Sequence, residues 1–274
     1  MYAQLGRRIS VALVGGPIVL LAAWYGGVFF WGAALVITMT SAFEFVKILQ
    51  KKIEIPSHFL TLVAVVVLFA GVYWGSLEFL LTFLTAYILV LFITELFRDA
   101  NNVIMNASTA LLTFFYVGVL GVFMVAIREL PTIANIDYQA GGVWILTIFL
   151  ATWICDSAAY FVGSRFGKRK LSPNISPNKT IEGAVGGLFG SLLTTVGVRY
   201  LFPEHLGWEQ AITLGIIIGL LGQMSDLLES LFKRDAGVKD ASAILPGHGG
   251  VLDRFDSELL VAPVIYFYLR WSLA

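Results

Sequence analysis

Stretches of about 20 mostly apolar residues recur along the whole chain, and each is long enough to form a helix that crosses the hydrocarbon core of a bilayer. They lie near residues 9–25, 28–46, 58–75, 77–97, 104–127, 142–162, 183–202, 210–230 and 253–272. Only 13% of the residues are charged, whereas soluble domains carry about 25%. The pattern therefore predicts an all-α, polytopic transmembrane protein with about nine membrane-spanning helices, and it excludes a water-soluble enzyme.

The basic residues are distributed unevenly between the two faces that these helices define. With the N-terminus on the cytosolic side, 15 of the 18 Lys and Arg residues fall in cytosolic segments, and Arg128, Arg199 and Arg270 fall outside. Cytosolic loops of membrane proteins carry an excess of Lys and Arg. We therefore predict a multi-pass protein of the cell (inner) membrane, with a cytosolic N-terminus, an outside C-terminus and a retained first helix.

Two long polar loops, at about 163–182 and 231–252, interrupt the C-terminal half of the chain and fall on the predicted cytosolic face. We divide the chain into N-terminal helices (1–140), which serve packing, dimer contact or lipid entry, and a C-terminal catalytic region (141–274). Glycines four residues apart at 183 and 187, 186 and 190, and 215 and 219 indicate close helix packing. The single cysteine, Cys155, excludes an intramolecular disulfide and a cysteine metal cluster.

The densest group of polar residues lies between Gln223 and Glu258. Asp226 lies at the end of one apolar stretch, while Asp253 and Asp256 are three residues apart, on one face of the next helix. The cations between them are Lys233, Arg234 and Lys239, followed by the Pro-Gly-His-Gly-Gly turn at residues 246–250. Carboxylates at membrane depth are costly and mark either a functional site or a pair with a partner charge.

This combination of residue types suits nucleotide phosphates. Carboxylate oxygens bind Mg²⁺ together with substrate phosphates, cationic side chains bind the remaining phosphate charge, and glycines let backbone amides approach an anion. The alternative is a basic loop in contact with anionic lipid, with a structural ion pair between Asp226 and Lys233. Three carboxylates flanking three cations favour the functional interpretation.

A second polar group runs from Trp153 to Glu182. Asp156, Tyr160 and Gly163 share one helical face. The loop that follows contains Lys168-Arg169-Lys170 and the segment Ser-Pro-Asn-Lys-Thr at 176–180. This segment is either a helix cap or a phosphate contact, and the residues alone leave both open. The glycines at 163 and 167 do not form a P-loop, because the spacing differs.

The segment from Ser230 to Asp256 resembles the signature of the phosphatidate cytidylyltransferase family, also called CDP-diacylglycerol synthase, without a departure. The Trp153–Tyr160 and Ser176–Gly183 segments are also similar to family sequences. The first 140 residues match only as generic membrane-spanning stretches. The resemblance is therefore specific and covers the C-terminal half.

The resemblance implies transfer of CMP from CTP to phosphatidic acid, giving CDP-diacylglycerol and pyrophosphate in phospholipid biosynthesis. It implies Mg²⁺, with a second cation left open, and a homodimer among membrane lipids, without nucleic acid. The predicted metal ligands are Asp226, Asp253 and Asp256. The predicted catalytic residues are Asp226, Lys233, Arg234, Lys239, Asp240, His248, Asp253 and Asp256. The predicted substrate-binding residues are Asp156, Lys179, Glu182, Ser230, Gly249, Gly250 and Arg254.

Three other functions stay open at this point. A polyprenol kinase would also use CTP but would transfer its γ-phosphate, and a CDP-archaeol synthase would differ in its lipid acceptor. A secondary transporter would also carry intramembrane carboxylates, but transporter sites lie near the midplane between inverted repeats. The acidic residues here collect at one predicted face, which disfavours the transporter.

Overall fold

The computed structural model of the protein describes residues 2–53, 59–75, 77–98, 102–245, 247 and 249–273, without the side chains of residues 2–12 and 77. Within these ranges the chain consists of helices and one two-stranded sheet. The helices are α1 (Tyr2–Tyr25), α2 (Gly27–Lys52), α3 (Phe59–Trp74), α4 (Leu77–Leu96), α5 (Val103–Ala134), α6 (Gln139–Phe166), α7 (Ile181–Leu201), α8 (Trp208–Asp235) and α9 (Leu252–Ser272). The strands are β1 (Lys170–Ser172) and β2 (Ser176–Thr180).

The all-α, polytopic class is confirmed, because each predicted apolar stretch lies on a helix. Among the described residues, six helices are long and apolar enough to cross a membrane, namely α2, α4, α5, α6, α7 and α8. Helices α1 and α3 contain shorter apolar stretches, Leu13–Tyr25 and Phe59–Trp74, and α9 opens with the charged sequence Leu-Asp-Arg-Phe-Asp. The count of nine spans and the division at residue 140 therefore stay predictions.

Two helices, α5 and α8, contain internal π-helical segments, Phe114–Val119 and Ile218–Gly222. Such segments insert one residue per turn and shift the helical face that follows them. In α8 the segment ends at Gly222, one turn before Asp226. It therefore sets the direction in which the polar end of α8 presents its side chains.

The buried apolar side chains form clusters between helices. One includes Ile127 of α5, Trp144 of α6 and Ile265 of α9. Another includes Phe45 of α2 and Leu252 of α9, so α2 packs beside the start of α9. Large apolar side chains are also exposed along the helices, among them Phe29, Leu89, Phe161 and Phe189. Such a surface suits lipid tails as its solvent.

Helices α6 and α7 approach each other closely through small residues, as the glycine spacing predicts. A Cβ atom at Gly183 would lie 2.7 Å from the carbonyl oxygen of Ala159, and one at Gly190 would lie 2.8 Å from the Cβ of Ala158. The same holds between α7 and α8, where a Cβ at Gly219 would lie 2.5 Å from Ser191 Oγ. Side chains at these glycines would force the helices apart, so the packing interpretation is confirmed.

Arg128 lies within α5 rather than in the loop that the predicted span boundaries place after residue 127. It is fully buried, and its guanidinium donates to the carbonyl oxygens of Ala23 (2.7 Å), Trp24 (3.1 Å) and Tyr138 (3.1 Å). Because the last carbonyls of a helix have no partner within it, Arg128 caps the end of α1. These hydrogen bonds stabilise the buried guanidinium, and α5 therefore continues past Arg128 to Ala134.

Candidate active site

The two polar loops and the helix ends around them line one cavity of about 1360 Å³. The predicted residues that line it are Asp156, Lys179, Asp226, Lys233, Asp240, Asp253, Arg254 and Asp256. Its lining also includes small or apolar residues, which are Gly15, Gly16, Val19, Ile37, Trp153 and Phe255. The cavity therefore combines charged and apolar lining.

The charged residues of the lining are nearly balanced. The carboxylates are Asp156, Asp226, Asp240, Asp253 and Asp256, and the cations are Lys170, Lys179, Lys233 and Arg254. With five negative and four positive groups, the lining alone does not neutralise a polyanion. A bound polyphosphate therefore needs additional positive charge, because the repulsion between like charges is strong where water is excluded.

Lys233, on α8, lies between two carboxylates. It is 8% exposed, and its Nζ donates to Asp253 Oδ1 at 2.6 Å and pairs with Glu229. Glu229 precedes Lys233 by four residues and so lies on the same helical face. The pair between Asp226 and Lys233 that the sequence allows is replaced by these contacts.

Asp253, in the first turn of α9, connects the loop before α9 to α8. Its oxygens accept hydrogen bonds from Lys233 Nζ, from the amide of Ala241 (3.0 Å to Oδ2) and from the amide of Gly250 (2.7 Å). Both oxygens therefore already have protein donors. The predicted role of Asp253 as a metal ligand stays a prediction, and its contacts identify it as the anchor of this loop.

Asp226 pairs across the cavity with Lys179 of β2, with 2.5 Å between Nζ and Oδ2. Both side chains are about 30% exposed, at 30% and 27%. Ser230 lies one turn further along α8 and approaches Asp226 Oδ1 at 3.4 Å. The ion pair thus links the first polar loop to α8.

The donor set fits a hard divalent cation that arrives with a nucleotide. Asp156, Asp226 and Asp256 present carboxylates from three helices to the same cavity. Within the described part of the chain, no group of three or more His, Cys, Asp or Glu side chains that could hold a metal ion is found. Mg²⁺ takes one or two carboxylates and completes its shell with water and substrate phosphate, so this arrangement suits it.

Other predicted residues stabilise the loops beside the cavity. Glu182 accepts hydrogen bonds from the amides of Lys168 (3.0 Å) and Arg169 (3.2 Å). Arg234 donates to the carbonyl oxygens of Ile175 and Val238. Their predicted contacts with phosphate stay predictions, as does the role of Lys239, which does not line the cavity as described.

The cap interpretation of residues 176–180 is confirmed for Thr180. Its Oγ1 accepts a hydrogen bond from the amide of Gly183 at 3.1 Å, at the start of α7. A side-chain acceptor at this position satisfies one of the free amides of a helix N-terminus. Lys179, the preceding residue, points instead to Asp226, so the segment caps a helix and also contributes to the cavity.

The glycine-rich turn before α9 has backbone conformations that favour glycine. Gly247 and Gly249 have φ angles of +80° and +84°, in the left-handed region that side chains disfavour. The amide of Leu245 donates to the carbonyl oxygen of Gly249 at 2.9 Å and closes the turn. His248 lies outside the described residues, so its predicted catalytic role is left as a prediction.

Sequence reasoning missed a carboxylate from the N-terminal helices. Glu44, on α2, is 1% exposed and accepts hydrogen bonds from Ser242 Oγ and from the amides of Val251 and Leu252. The sequence did contain a signal for Glu44, because a carboxylate within an apolar stretch is costly unless it is paired. The sequence alone gives no indication of which distant segment supplies the partners.

Comparisons with known proteins show which family the chain resembles. A family described as the cytidylyltransferase family matches residues 6–272. The chain is 42% identical over 168 residues to a phosphatidate cytidylyltransferase of Staphylococcus aureus (strain COL), covering 61% of each protein. It is 36% identical over 222 residues to a phosphatidate cytidylyltransferase of Staphylococcus haemolyticus (strain JCSC1435), covering 80% of this chain and 81% of that protein.

The chain spans about three fifths of the length of the Staphylococcus aureus relative that it matches, at 61%. The family match, in contrast, includes the N-terminal helices as well as the polar loops. It confirms the resemblance that the Ser230–Asp256 segment indicates. This chain belongs to the cytidylyltransferase family.

Proposed function

We propose that the protein is a CTP:phosphatidate cytidylyltransferase that makes CDP-diacylglycerol and releases pyrophosphate. The observation that supports this most directly is the large cavity whose lining combines charged and apolar side chains. One substrate, CTP, is a polyanion, and the other, phosphatidate, has a charged head and two acyl chains. Family membership and the names of the staphylococcal relatives support the same reaction.

The proposed reaction joins a phosphate oxygen of phosphatidate to the α-phosphorus of CTP. The bond between that phosphorus and the oxygen bridging to the β-phosphate breaks, and its electron pair leaves with pyrophosphate. A phosphate monoester has a second pKa near 6, so it is largely dianionic at neutral pH and does not require a strong general base. The cavity accordingly needs to bring two anions together rather than to remove a proton.

The side chains of the cavity supply this electrostatic function. Lys179, Lys233 and Arg254 provide positive charge that stabilises the phosphates as negative charge moves to the leaving group. Asp226 and Asp256 would hold Mg²⁺, with Asp253 as the third predicted ligand. When bound, the cation would neutralise phosphate charge and orient the triphosphate.

We further propose that the charged lining of the cavity faces the cytosol, where CTP is found, and that the apolar lining faces the bilayer. The excess of Lys and Arg on this side supports the orientation. A homodimer is also part of the proposal, supported only by the family resemblance. Reconstituted protein with cysteine labels introduced at Lys239 and Arg270 would test the orientation.

The experiment that tests the reaction uses purified protein in detergent with phosphatidate, Mg²⁺ and CTP labelled at the α-phosphate. We expect label in a chloroform-soluble product, lost with EDTA and in Asp253→Asn. The buried Glu95, which contacts only Arg98 and Asn106 in the described contacts, provides a matched control as Glu95→Gln, which should retain the activity. Transfer of γ-phosphate label to the lipid would instead identify a kinase, and no lipid label would contradict the proposal.

A further inference from the structure

Glu44 is a buried carboxylate of α2 whose partners all lie in the loop before α9 or in the start of that helix. Its Oε1 accepts hydrogen bonds from Ser242 Oγ at 2.5 Å and from the amide of Val251 at 3.0 Å. Its Oε2 accepts one from the amide of Leu252 at 2.7 Å. Three donors thus bind one side chain that is 1% exposed.

These contacts replace a cap that α9 lacks. The residue before the helix is Val251, whose side chain makes no capping hydrogen bond. The first amides of a helix have no partner within it, and a carboxylate near a helix N-terminus also interacts favourably with the helix dipole. Glu44 therefore acts as the N-terminal cap of α9 from a helix more than 200 residues away, since 208 residues separate it from Leu252.

Gly250 lies between Glu44 and the cavity. Its amide donates to Asp253 Oδ2 at 2.7 Å, and a Cβ atom at Gly250 would lie 2.7 Å from Glu44 Oε2 and 2.8 Å from Oε1. The nearest atoms to such a Cβ all belong to Glu44. A side chain at this position would therefore displace the Glu44 carboxylate.

The contacts continue from the loop into the cavity. Asp253, which accepts from the Gly250 amide, also accepts from Lys233 Nζ. Both side chains line the cavity, as does Asp256 on the next turn of α9. A displacement of the first turn of α9 would therefore move charged groups on both α8 and α9.

We propose that Glu44 is a positioning residue of the active site, which fixes the first turn of α9 so that Asp253 and Lys233 keep their places in the cavity. The inference rests on the proposed function and extends it, because it gives the N-terminal helices a part in the chemistry. Glu44 touches the loop and not the cavity, so it acts through Asp253. A misplacement of reacting groups by 1 Å costs about 100-fold in rate.

The first test compares Glu44→Gln with the control Glu95→Gln. Glutamine replaces one carboxylate oxygen by an NH2 group, so a donor then faces the amide of either Val251 or Leu252. Glu95 is a buried carboxylate of α4, 4% exposed, without contact to this loop. We expect Glu44→Gln to lower kcat by about 100-fold with KM for both substrates nearly unchanged, and Glu95→Gln to retain kcat. Unchanged kcat in a folded Glu44→Gln protein would overturn the proposal.

A second measurement separates positioning from general stability. Hydrogen–deuterium exchange of the peptide containing Val251 and Leu252 should increase by about tenfold in Glu44→Gln, because each lost hydrogen bond is worth roughly one decade in exchange. Peptides from the middle of α9 should keep their protection. Uniformly faster exchange across all helices, with kcat per active molecule retained, would assign Glu44 a purely structural role and overturn the proposal.

A double-mutant cycle tests the same contact through Gly250. Gly250→Ala should lower kcat in the wild-type background, since its Cβ would displace the Glu44 carboxylate. In a Glu44→Ala background the same substitution should have little further effect, because the obstructing side chain is gone. Independent, additive effects would contradict the proposed coupling. If the wild-type protein makes no CDP-diacylglycerol, the proposed function fails, while the exchange measurement still decides whether Glu44 holds the loop.

Discussion

Two buried cations of this protein, Arg128 and Lys233, have opposite surroundings. The guanidinium of Arg128 donates to backbone carbonyl oxygens and stacks on the ring of Tyr138 at 4.0 Å. Lys233 binds the carboxylates of Glu229 and Asp253 and lines the large cavity. Both charges are costly in a membrane protein, yet only Lys233 borders a space that a substrate can enter.

The difference shows how buried charge can be interpreted. Arg128 completes hydrogen bonds that the end of α1 leaves open, so its burial is explained by the fold alone. The cavity cluster (Lys179, Asp226, Lys233 and Asp253) pairs charged side chains with each other, although Asp253 also accepts from the amides of Ala241 and Gly250. Such pairs can exchange partners when an anion or a cation binds, which backbone caps cannot do. Burial therefore identifies a functional charge only together with an accessible cavity.

The largest effect is expected from removing a carboxylate of the cavity cluster. Asp226→Asn should lower kcat/KM by roughly 1000-fold, about 4 kcal/mol, because the site then loses charge that opposes Lys179 and holds the proposed cation. The side chain is 30% exposed, so the unfolding midpoint should change little. Initial rates over a range of CTP concentrations give kcat/KM, and thermal unfolding in detergent gives the midpoint. Retained activity in Asp226→Asn would contradict the catalytic role assigned to the cavity cluster.

The next effect concerns the other buried cation. Arg128→Met should lower the free energy of unfolding by about 3 kcal/mol, since several buried carbonyl oxygens lose their donor. The activity of the molecules that remain folded should be retained, because Arg128 does not line the cavity. Denaturant titration of the detergent-solubilised protein, with activity normalised to the folded fraction, tests this. A loss of kcat without a loss of stability would contradict the distinction between the two cations.

A smaller effect is expected at the ion pair between Lys179 of β2 and Asp226 of α8. Lys179→Met should lower kcat/KM for CTP by roughly 30-fold, about 2 kcal/mol, because one charge-assisted phosphate contact is lost. Lys170, which also lines the cavity but lies in β1, provides the control as Lys170→Met and should change kcat/KM less. Steady-state kinetics over a range of CTP concentrations measure which of the two variants loses more kcat/KM. Equal losses in the two variants would assign their effect to net charge alone.

The smallest effect is expected at the surface pair between Lys52 and Asp235. The two side chains are 48% and 62% exposed, and exposed ion pairs contribute below about 1 kcal/mol. Lys52→Met should therefore leave both the unfolding midpoint and kcat nearly unchanged. This variant is the baseline for the others. A large loss of activity would mean that the end of α2 has a second role besides packing.

The positions of the helices could be predicted from the sequence, because long apolar stretches leave few alternatives in a bilayer. The eight cavity-lining residues named from the two polar groups were also predictable from residue type and family signature. The choice of ion-pair partners was not. Lys233 pairs with Asp253 of α9 as well as with Glu229 of its own helix, whereas Asp226 pairs with Lys179 of β2. The packing of α8 against α9 and β2 determines these partners.

Contacts between distant helices also lay beyond sequence reasoning. Glu44 and Leu252 are separated by 208 residues, and no local pattern specifies which loop a buried carboxylate reaches. The exact number of spans stays open for a different reason. Helix α9 carries charged residues in its first turns. These residues lower its mean hydropathy, so hydropathy alone does not show whether α9 crosses the bilayer.

The cap that Glu44 places on α9 has a consequence for the synthesis of the protein. Val251 emerges from the ribosome 207 residues after Glu44, and at translation rates of roughly 5–20 residues per second this is a delay on the order of 10 to 40 s. Until then Glu44 lacks the amide donors that it has in the folded protein. The cavity lining, which includes residues of α9, is therefore complete only after α9 has been synthesised.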